Sequence, residues 1–266
     1  MIIPAPSSVA FSFLGFPIYW YGIILALAIF CAIVVGNKIF NVINSDDKKD
    51  IIISCAPVII ISGIIGARLY FCMLNPSYYF SHLLEILDIR QGGLSIHGAL
   101  IFGIAALIFS AKKNNVSVMK VLDAMSCATL LGQAIGRWGN YFNSEAYGVP
   151  VVGQNWGLFI PESKRVAEFV NYSLFHPTFL YESVLDLFGF GLLLWLILSV
   201  GKNIRGLTFF AYLAVYSLIR FFIEQIRVDS ALNIASVPIA EIMSVVFFVI
   251  GILGALIVFI KNLKKN

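Results

Sequence analysis

Charge is what this chain of 266 residues has least of: Asp, Glu, Lys and Arg make up 12% of it, against 60% hydrophobic residues and a mean hydropathy of +0.92. A soluble domain carries about 25% charged and about 45–50% apolar residues. One soluble core cannot hide the larger apolar share, because a globular surface must still be covered with polar groups. The soluble class is excluded, and an integral membrane protein follows. Histidine is scarce, at three, and the four cysteines (Cys31, Cys55, Cys72, Cys127) lie inside apolar runs with no CxxC pair and no histidine at ligand spacing. Packing is favoured over redox or metal work for those thiols, and neither a metal nor a cofactor is expected. The basic residues leave a net charge of only +4 and are scattered in twos and threes rather than gathered in a stripe, so nucleic acid is not an expected partner. No Lys or Arg precedes Lys38, and the apolar stretch from Phe16 to Ile43 is too long for a signal-peptide core; it reads as an uncleaved first span.

A spanning helix takes about 20 predominantly apolar residues to cross a hydrocarbon core of roughly 30 Å. Seven segments qualify: Phe16 to Ile43, Ile51 to Met73, Gly93 to Ala111, Val121 to Gly139, Thr178 to Val200, Gly206 to Ile226 and Pro238 to Ile260. The expected fold is all-α: a polytopic membrane protein of about seven transmembrane helices, forming a single integral membrane domain over residues 1–266. The fourth span is the weakest, since Asp123, Gln133 and Arg137 interrupt it. Residues 144–177 contain the breakers Gly148, Pro150, Gly153 and Pro161 and too few apolar residues for another crossing, so they are expected to form a small external cap between spans four and five.

Alternate loops carry Lys38, Lys48, Lys49, Lys112, Lys113, Lys120, Lys202, Arg205, Lys261, Lys264 and Lys265, eleven of the eighteen basic residues. By the positive-inside rule that side is the cytoplasm, which leaves the N-terminus outside and the C-terminus cytoplasmic. The other seven are Arg68, Arg90, Arg137, Lys164, Arg165, Arg220 and Arg227; only Lys164 and Arg165 sit well away from an expected helix, so arginine gathers at the expected outer ends of helices.

Intramembrane charges cost about 2.5–3.5 kcal/mol each on insertion scales, so they are functional candidates by default. The stretch GRWGNYFNSE places Arg137 and Asn140 at the end of the fourth span and, past an expected helix end, Asn143 and Glu145. On the sixth span, spacings of four, four and three put Tyr216, Arg220, Glu224 and Arg227 on one helix face. Arg220 and Glu224 could merely lock helix packing, or Arg220 could remain available to an anionic ligand while Glu224 orients it. His97, in GGLSIHGAL, is the one histidine inside an expected span; it reads either as a hydrogen-bonded core residue or as a group beside a substrate admitted by the flanking glycines. In HPTFLYE, Glu182 lies in the first turns of the fifth span, where the helix dipole favours a carboxylate, and Asp186 one turn on could pair with an arginine. Arg68, Glu241 and Tyr21 are weaker candidates, for which anchoring or ion pairing suffices.

GRWGNYFNSEAYG resembles the signature segment of the prolipoprotein diacylglyceryl transferases. Gly93 to Leu100 is similar to that family's His-Gly-Gly-Leu region, HPTFLYE to its fifth-span entry, Tyr216 to Arg227 to its Tyr, Arg, Glu, Arg helix, and Trp20-Tyr21-Gly22 to its first span. The similarities run in the family's order over about residues 16–260. Ala99 stands for the second glycine after the histidine, and Tyr141 for the usual Phe.

The resemblance implies a seven-span enzyme of the bacterial cytoplasmic (inner) membrane. It would move the diacylglyceryl group of phosphatidylglycerol to the lipobox cysteine of a prolipoprotein signal peptide, forming a thioether and releasing glycerol 1-phosphate, with the active site toward the outer side. Arg137 and Arg220 suit the phosphate, since guanidinium binds its oxygens through parallel charge-assisted bonds. Asn140, Asn143, Glu145, Tyr21, Tyr216, Glu224 and Arg227 are the further expected contacts to phosphatidylglycerol. A thiol of pKa about 8.5 is helped by a base, for which His97 is the candidate. Membrane lipid is a further expected partner. A transporter or channel would instead spread its charges through the full depth of the bilayer, and a structural subunit would pair its polar residues among themselves.

Overall fold

The computed structural model describes residues 1–44, 50–88, 92–229, 233–234 and 237–264. Lys48, Lys49, Arg90 and Lys265, used above for orientation, lie outside the described residues. The chain is a polytopic all-α membrane protein. Among the described residues seven helices are long and apolar enough to cross a membrane: α1 (Trp20–Ile43), α2 (Ile51–Leu74), α4 (Ile96–Lys113), α5 (Val118–Asn143), α6 (Thr178–Ser199), α7 (Leu207–Glu224) and α8 (Ile239–Leu263). A short α3 (Pro76–Ser81) follows α2. The long helices leave large apolar side chains outward, such as Phe188 and Trp195 of α6, as a lipid solvent requires.

Three helix starts differ from the expected spans by several residues, and one of them, α5, begins early, at Val118 rather than Val121. Phe16–Tyr19 is not helical but forms strand β3, paired antiparallel with β2 (Val9–Phe13). Leu14 and Gly15 join them, both with positive φ (49° and 82°), as a two-residue hairpin turn whose twist matches the strands requires. Pro17, which lacks an N–H, sits in this ribbon, and the first crossing begins only at Trp20. Similarly, Gly93 to Ser95 precede α4 rather than opening it.

Residues cluster into two compact units, one of 1–36 with 122–266 and one of 37–121. In the second unit α2 packs on α4 with almost no space between backbones. A Cβ built on Gly98 would run into the Gly66 carbonyl, and one on Gly66 into Phe102, so small residues at this crossing let the two helices touch. The buried Arg68 points its guanidinium away from lipid into four carbonyls: Nε donates to Ile86 (2.9 Å), Nη1 to Gly92 (3.1 Å) and Gly93 (3.0 Å), and Nη2 to Glu85 (2.5 Å). Arg68 thus holds the connection after α3 in place, a structural task that uses most of its five donors.

In the first unit α6, α7 and α8 pack in sequence. Two of the three residues that interrupt the fourth span, Asp123 and Gln133, find partners on α7 or at its N-cap. The buried Asp123 accepts from the N–H groups of Gly206 (2.6 Å) and Phe209 (2.8 Å), satisfying donors that the first turn of α7 leaves without intrahelical acceptors. Gln133 accepts from the Tyr212 hydroxyl at 3.5 Å.

Residues 144–177, the cap segment, link α5 to α6 and pair with the chain's start. Strand β1 (Ile2–Ile3) runs parallel to β4 (Gly157–Phe159), which pairs antiparallel with β5 (Leu174–Phe175). The cap has its own small core of Tyr147, Leu158, Ile160 and Phe175, closed by Phe179 of α6. The Tyr147 hydroxyl donates to the Lys164 carbonyl (2.9 Å) and accepts from the Val166 N–H (2.8 Å). Burial pushes its phenol above the ordinary tyrosine range. A last backbone ribbon, β6 (Asn233–Ile234) with β7 (Val237–Pro238), leads into α8.

Candidate active site

The site is assembled where α5, α6 and α7 meet the cap. Helix α5 continues to Asn143, so Asn143 is its last helical residue rather than the loop residue expected, and Glu145 lies just beyond. Ser144 and Ala146 both take positive φ (53° and 54°), a sharp reversal that folds Glu145 back on the helix end. Its N–H donates to the Asn140 carbonyl (3.1 Å), and its Oε1 accepts from Asn140 Nδ2 (2.9 Å) and Asn143 Nδ2 (3.4 Å). The four polar residues of the signature segment are therefore not equivalent: the two amides fix the carboxylate, while Arg137 faces elsewhere.

Arg137 Nη2 lies 2.5 Å from Glu182 Oε1, and Arg220 Nη1 lies 3.7 Å from the other oxygen of the same carboxylate. One acid of α6 thus draws together guanidiniums from α5 and α7. Arg220 Nη2 also contacts Glu224 one helical turn on, at 2.5 Å. The Glu182 side chain is 2% exposed, whereas those of Arg137 and Arg220 keep 18% and 15%. Arg220 and Glu224 form the direct i,i+4 pair that the spacing allowed, and Arg220 Nη1 makes no hydrogen bond among the described residues. Glu182, near the start of α6 as expected, has a partner the dipole argument did not supply: it bridges two arginines in the protein interior. Charge explains the bridge, since an unpaired guanidinium in a low-dielectric interior is far costlier than a paired one.

Asp186, expected to pair with an arginine, has no cation within ion-pair distance among the described residues. It is fully buried, and neither carboxyl oxygen meets a hydrogen-bond partner there. The charges of Glu182, Arg137 and Arg220 nonetheless act on it.

Arg227 leaves the expected stripe, because α7 ends at Glu224. Its guanidinium forks onto Asp229 Oδ1 through Nε (3.0 Å) and Nη2 (2.9 Å), and Asp229 Oδ2 accepts from the Ala146 N–H (2.6 Å). The backbone of 226–228 pairs with 147–149, including Val149 N–H to the Ile226 carbonyl (2.8 Å). Thr178 Oγ1 donates to the Ala146 carbonyl, which brings in the start of α6. Arg227 therefore ties three helix ends together. Asp229 was missed in the sequence; its position two residues after an arginine is the only signal it offered.

Tyr216 stacks on Tyr212 (5.9 Å between centroids, 6° between planes) in the field of Arg137, Glu182 and Arg220. Tyr21 packs its ring over Gly139, where a Cβ would come within 2.8 Å, and feels the charges of Glu145 and Arg137. Residues Ile24, Leu27, Leu131, Ile135, Trp138 and Leu187 line an apolar groove of about 330 Å³ between α1, α5 and α6. A second, polar cleft of about 290 Å³ runs from Asn143 and Glu145 to Lys164 and Asp229. His97 belongs to the unit of 37–121. It stands exposed in the first turn of α4, with its ring 6.0 Å from that of Tyr70.

Comparisons with known proteins show the family of the chain. Residues 8–257 match the family described as prolipoprotein diacylglyceryl transferase. A phosphatidylglycerol–prolipoprotein diacylglyceryl transferase of Acaryochloris marina is 42% identical over 240 residues, 89% of this chain and 85% of the relative. That of Synechocystis sp. is 38% identical over 270 residues, covering 98% and 92% of the two chains. One of Clostridium perfringens is 37% identical over 260 residues, 97% of each. The chain belongs to the prolipoprotein diacylglyceryl transferase family.

Proposed function

We propose that Arg137 and Arg220 receive the phosphate of phosphatidylglycerol in the reaction that family membership assigns to this chain: transfer of the diacylglyceryl group from phosphatidylglycerol to a prolipoprotein. The observation that carries the residue assignment is the convergence of these two guanidiniums on Glu182. The acceptor is the thiol of a lipobox cysteine. Its sulfur forms a bond to the glyceryl carbon as the carbon–oxygen bond to phosphate breaks; glycerol 1-phosphate departs with the electron pair, and the thiol proton is taken up by a base. Charge collects on the departing phosphate, and a guanidinium that contacts one carboxylate still has further N–H donors to offer it. Arg220 Nη1 makes no hydrogen bond among the described residues and is such a donor.

Asn140 and Asn143 hold Glu145 so that its second oxygen can order a headgroup hydroxyl. Tyr21 and Tyr216 border the same space, Glu224 steadies Arg220, and Arg227 acts through Asp229 on the loop that carries Glu145. His97 is assigned the thiol proton. Residues 1–266 act as one integral membrane domain of the bacterial inner membrane. An odd number of crossings puts the termini on opposite sides, and the lysine-rich alternate loops assign the C-terminal side to the cytoplasm and the N-terminus to the outside, with the active site toward the outer side, where both the donor lipid and a signal peptide's cysteine are presented.

The test is incubation of the purified protein with phosphatidylglycerol and a lipobox peptide, followed by mass spectrometry. The expected result is a diacylglyceryl mass gain on cysteine that is lost in Arg137→Ala and Arg220→Ala; full activity of both variants overturns the phosphate assignment. For His97→Gln, slower transfer with lipid binding retained supports the base, and loss of lipid binding replaces that role with a lipid contact.

A further inference from the structure

Two guanidiniums, of Arg137 and Arg220, face three carboxyls in the interior of the α5–α6–α7 bundle, of Glu182, Glu224 and Asp186. The three acids are not alike. Glu182 and Glu224 touch arginine at 2.5 Å, whereas Asp186 is 0% exposed and both its oxygens lack a hydrogen-bond partner among the described residues. An ionised carboxylate in that position would be a buried charge without a contact, and it would stand one helical turn from a second anion, Glu182. A docking phosphate would then bring a fourth negative charge to two positive ones. With one acid protonated the cluster balances before phosphate binds and carries a single excess negative charge afterwards, and Asp186 is the acid with no cation to lose.

The i,i+4 spacing on α6 places Asp186 on the same helix face as Glu182, with Cβ atoms about 5–6 Å apart, within reach of a carboxyl-to-carboxylate hydrogen bond after a rotamer change. Glu182 needs such a partner at one moment in particular. When lipid phosphate claims N–H groups from Arg137 and Arg220, the carboxylate between them loses part of its ion pairing.

We propose that Asp186 is a positioning residue: as a carboxylic acid it gives its O–H to Glu182 when phosphate engages the two arginines, so that Glu182 keeps both guanidiniums in register. The pair shares one proton. The groups around it are Arg137 on α5, Glu182 on its own helix, and Tyr212, Tyr216 and Arg220 on α7. This inference rests on the assignment of Arg137 and Arg220 to phosphate.

The experiment compares Asp186→Asn and Asp186→Leu in the full-length purified protein, with phosphatidylglycerol as donor and a lipobox peptide as acceptor. Asn keeps a donor of similar size without a charge; Leu keeps volume alone. One hydrogen bond to a charged group corresponds to roughly 10- to 100-fold. Asp186→Leu is expected to lose kcat by that factor, with KM for phosphatidylglycerol within about threefold, and Asn is expected to restore kcat to within about threefold of the parent. The infrared spectrum gives a readout independent of turnover: a protonated-carboxyl band that shifts on adding phosphatidylglycerol and is missing in Asp186→Asn. Equal losses in Asn and Leu would mean that an anion is required, and equal activity in both would mean packing alone; either overturns the proposal, as does the absence of the infrared band. Arg137→Ala and Arg220→Ala in the same assay separate the two levels. Their full activity refutes the phosphate assignment, whereas their inactivity beside an indifferent Asp186 series refutes only the present inference.

Discussion

Replacing Glu182 with glutamine tests how the site is held together. The substitution keeps length and a carbonyl acceptor but removes the charge that draws Arg137 and Arg220 toward one point. At an effective dielectric of about 20, unit charges 4 Å apart interact by about 4 kcal/mol, and breaking one partner of a buried ion pair costs about 3–5 kcal/mol. The two guanidiniums here are not sealed in, with 18% and 15% of their side chains exposed, so water and lipid phosphate screen part of the loss. The lower end of the range applies, about 3 kcal/mol, which at 1.36 kcal/mol per decade is roughly a hundredfold. The loss should fall on turnover. Two like charges without their bridge splay apart, so the site keeps its positive charge for phosphate but not the geometry that follows it into the transition state. In detergent micelles doped with phosphatidylglycerol, Glu182→Gln should therefore lower kcat by roughly a hundredfold while KM for the lipid changes less than about threefold. Parental turnover in Glu182→Gln would show that the bridge is dispensable. A raised KM with kcat intact would show that Glu182 serves binding alone, and either result refutes the reasoning.

Three further outcomes are expected. Asp123→Asn removes the charge that accepts from the Gly206 and Phe209 N–H groups, so it should cost about 2–3 kcal/mol of stability, seen as a lower unfolding midpoint in detergent, with turnover per folded molecule unchanged. Tyr147→Phe leaves the Lys164 carbonyl and Val166 N–H without their partner, so hydrogen exchange at Val166 should accelerate by roughly 10- to 100-fold. Because the Tyr147 phenol is raised in the folded state, its contribution to stability is present below the ordinary tyrosine value of about 10 and falls away as pH rises through the folded value. An unfolding midpoint followed against pH should lose that alkaline component in Tyr147→Phe. Gly98→Ala drives a methyl group into the Gly66 carbonyl and should destabilise the α2–α4 crossing by about 1–3 kcal/mol, read from thermal unfolding; an unchanged midpoint would mean the helices can part freely.

What the sequence made legible follows the physics that acts locally. Spans were readable because lipid imposes a length and an apolar composition on each helix independently, and all seven expected segments begin and end within about four residues of the observed helices. The first span begins at Trp20 rather than Phe16 because apolar content cannot distinguish a helix from an apolar hairpin, and the Leu14-Gly15 turn was the decisive feature. Arg137 and Arg220 stood out because charge in an apolar run is costly wherever it points. Their partner was not legible. Glu182 at the start of a helix satisfies a dipole argument by itself, and only the packing of α6 between α5 and α7 shows that it bridges two cations. Arg227 misled for the opposite reason: helical spacing extended past Glu224 places it on the stripe, but the chain turns there and gives it to Asp229. The pairing of Ile2–Ile3 with the cap joins segments more than 150 residues apart, and no local pattern announces that.

The distribution of partners around the two arginines explains why such a site needs carboxylates at all. A pair of cations poised for a phosphate would repel each other in a low-dielectric interior, and each would seek the membrane surface by extending its long side chain. Glu182 offsets that repulsion and fixes the separation of the guanidiniums in advance, so that little reorganisation remains when charge develops on the leaving group. The cost is competition, since every N–H given to a carboxylate is one not given to phosphate. Guanidinium resolves it by geometry: five donors in a planar fork allow one edge to stay with an acid while another faces a ligand, which the compact ammonium of lysine cannot reproduce. Lysine at position 137 or 220 should accordingly restore transfer only in part relative to alanine, measured as peptide lipidation at saturating phosphatidylglycerol. Full restoration by lysine at both positions would show that charge alone suffices, and the bridged arrangement on Glu182 would then have no catalytic consequence.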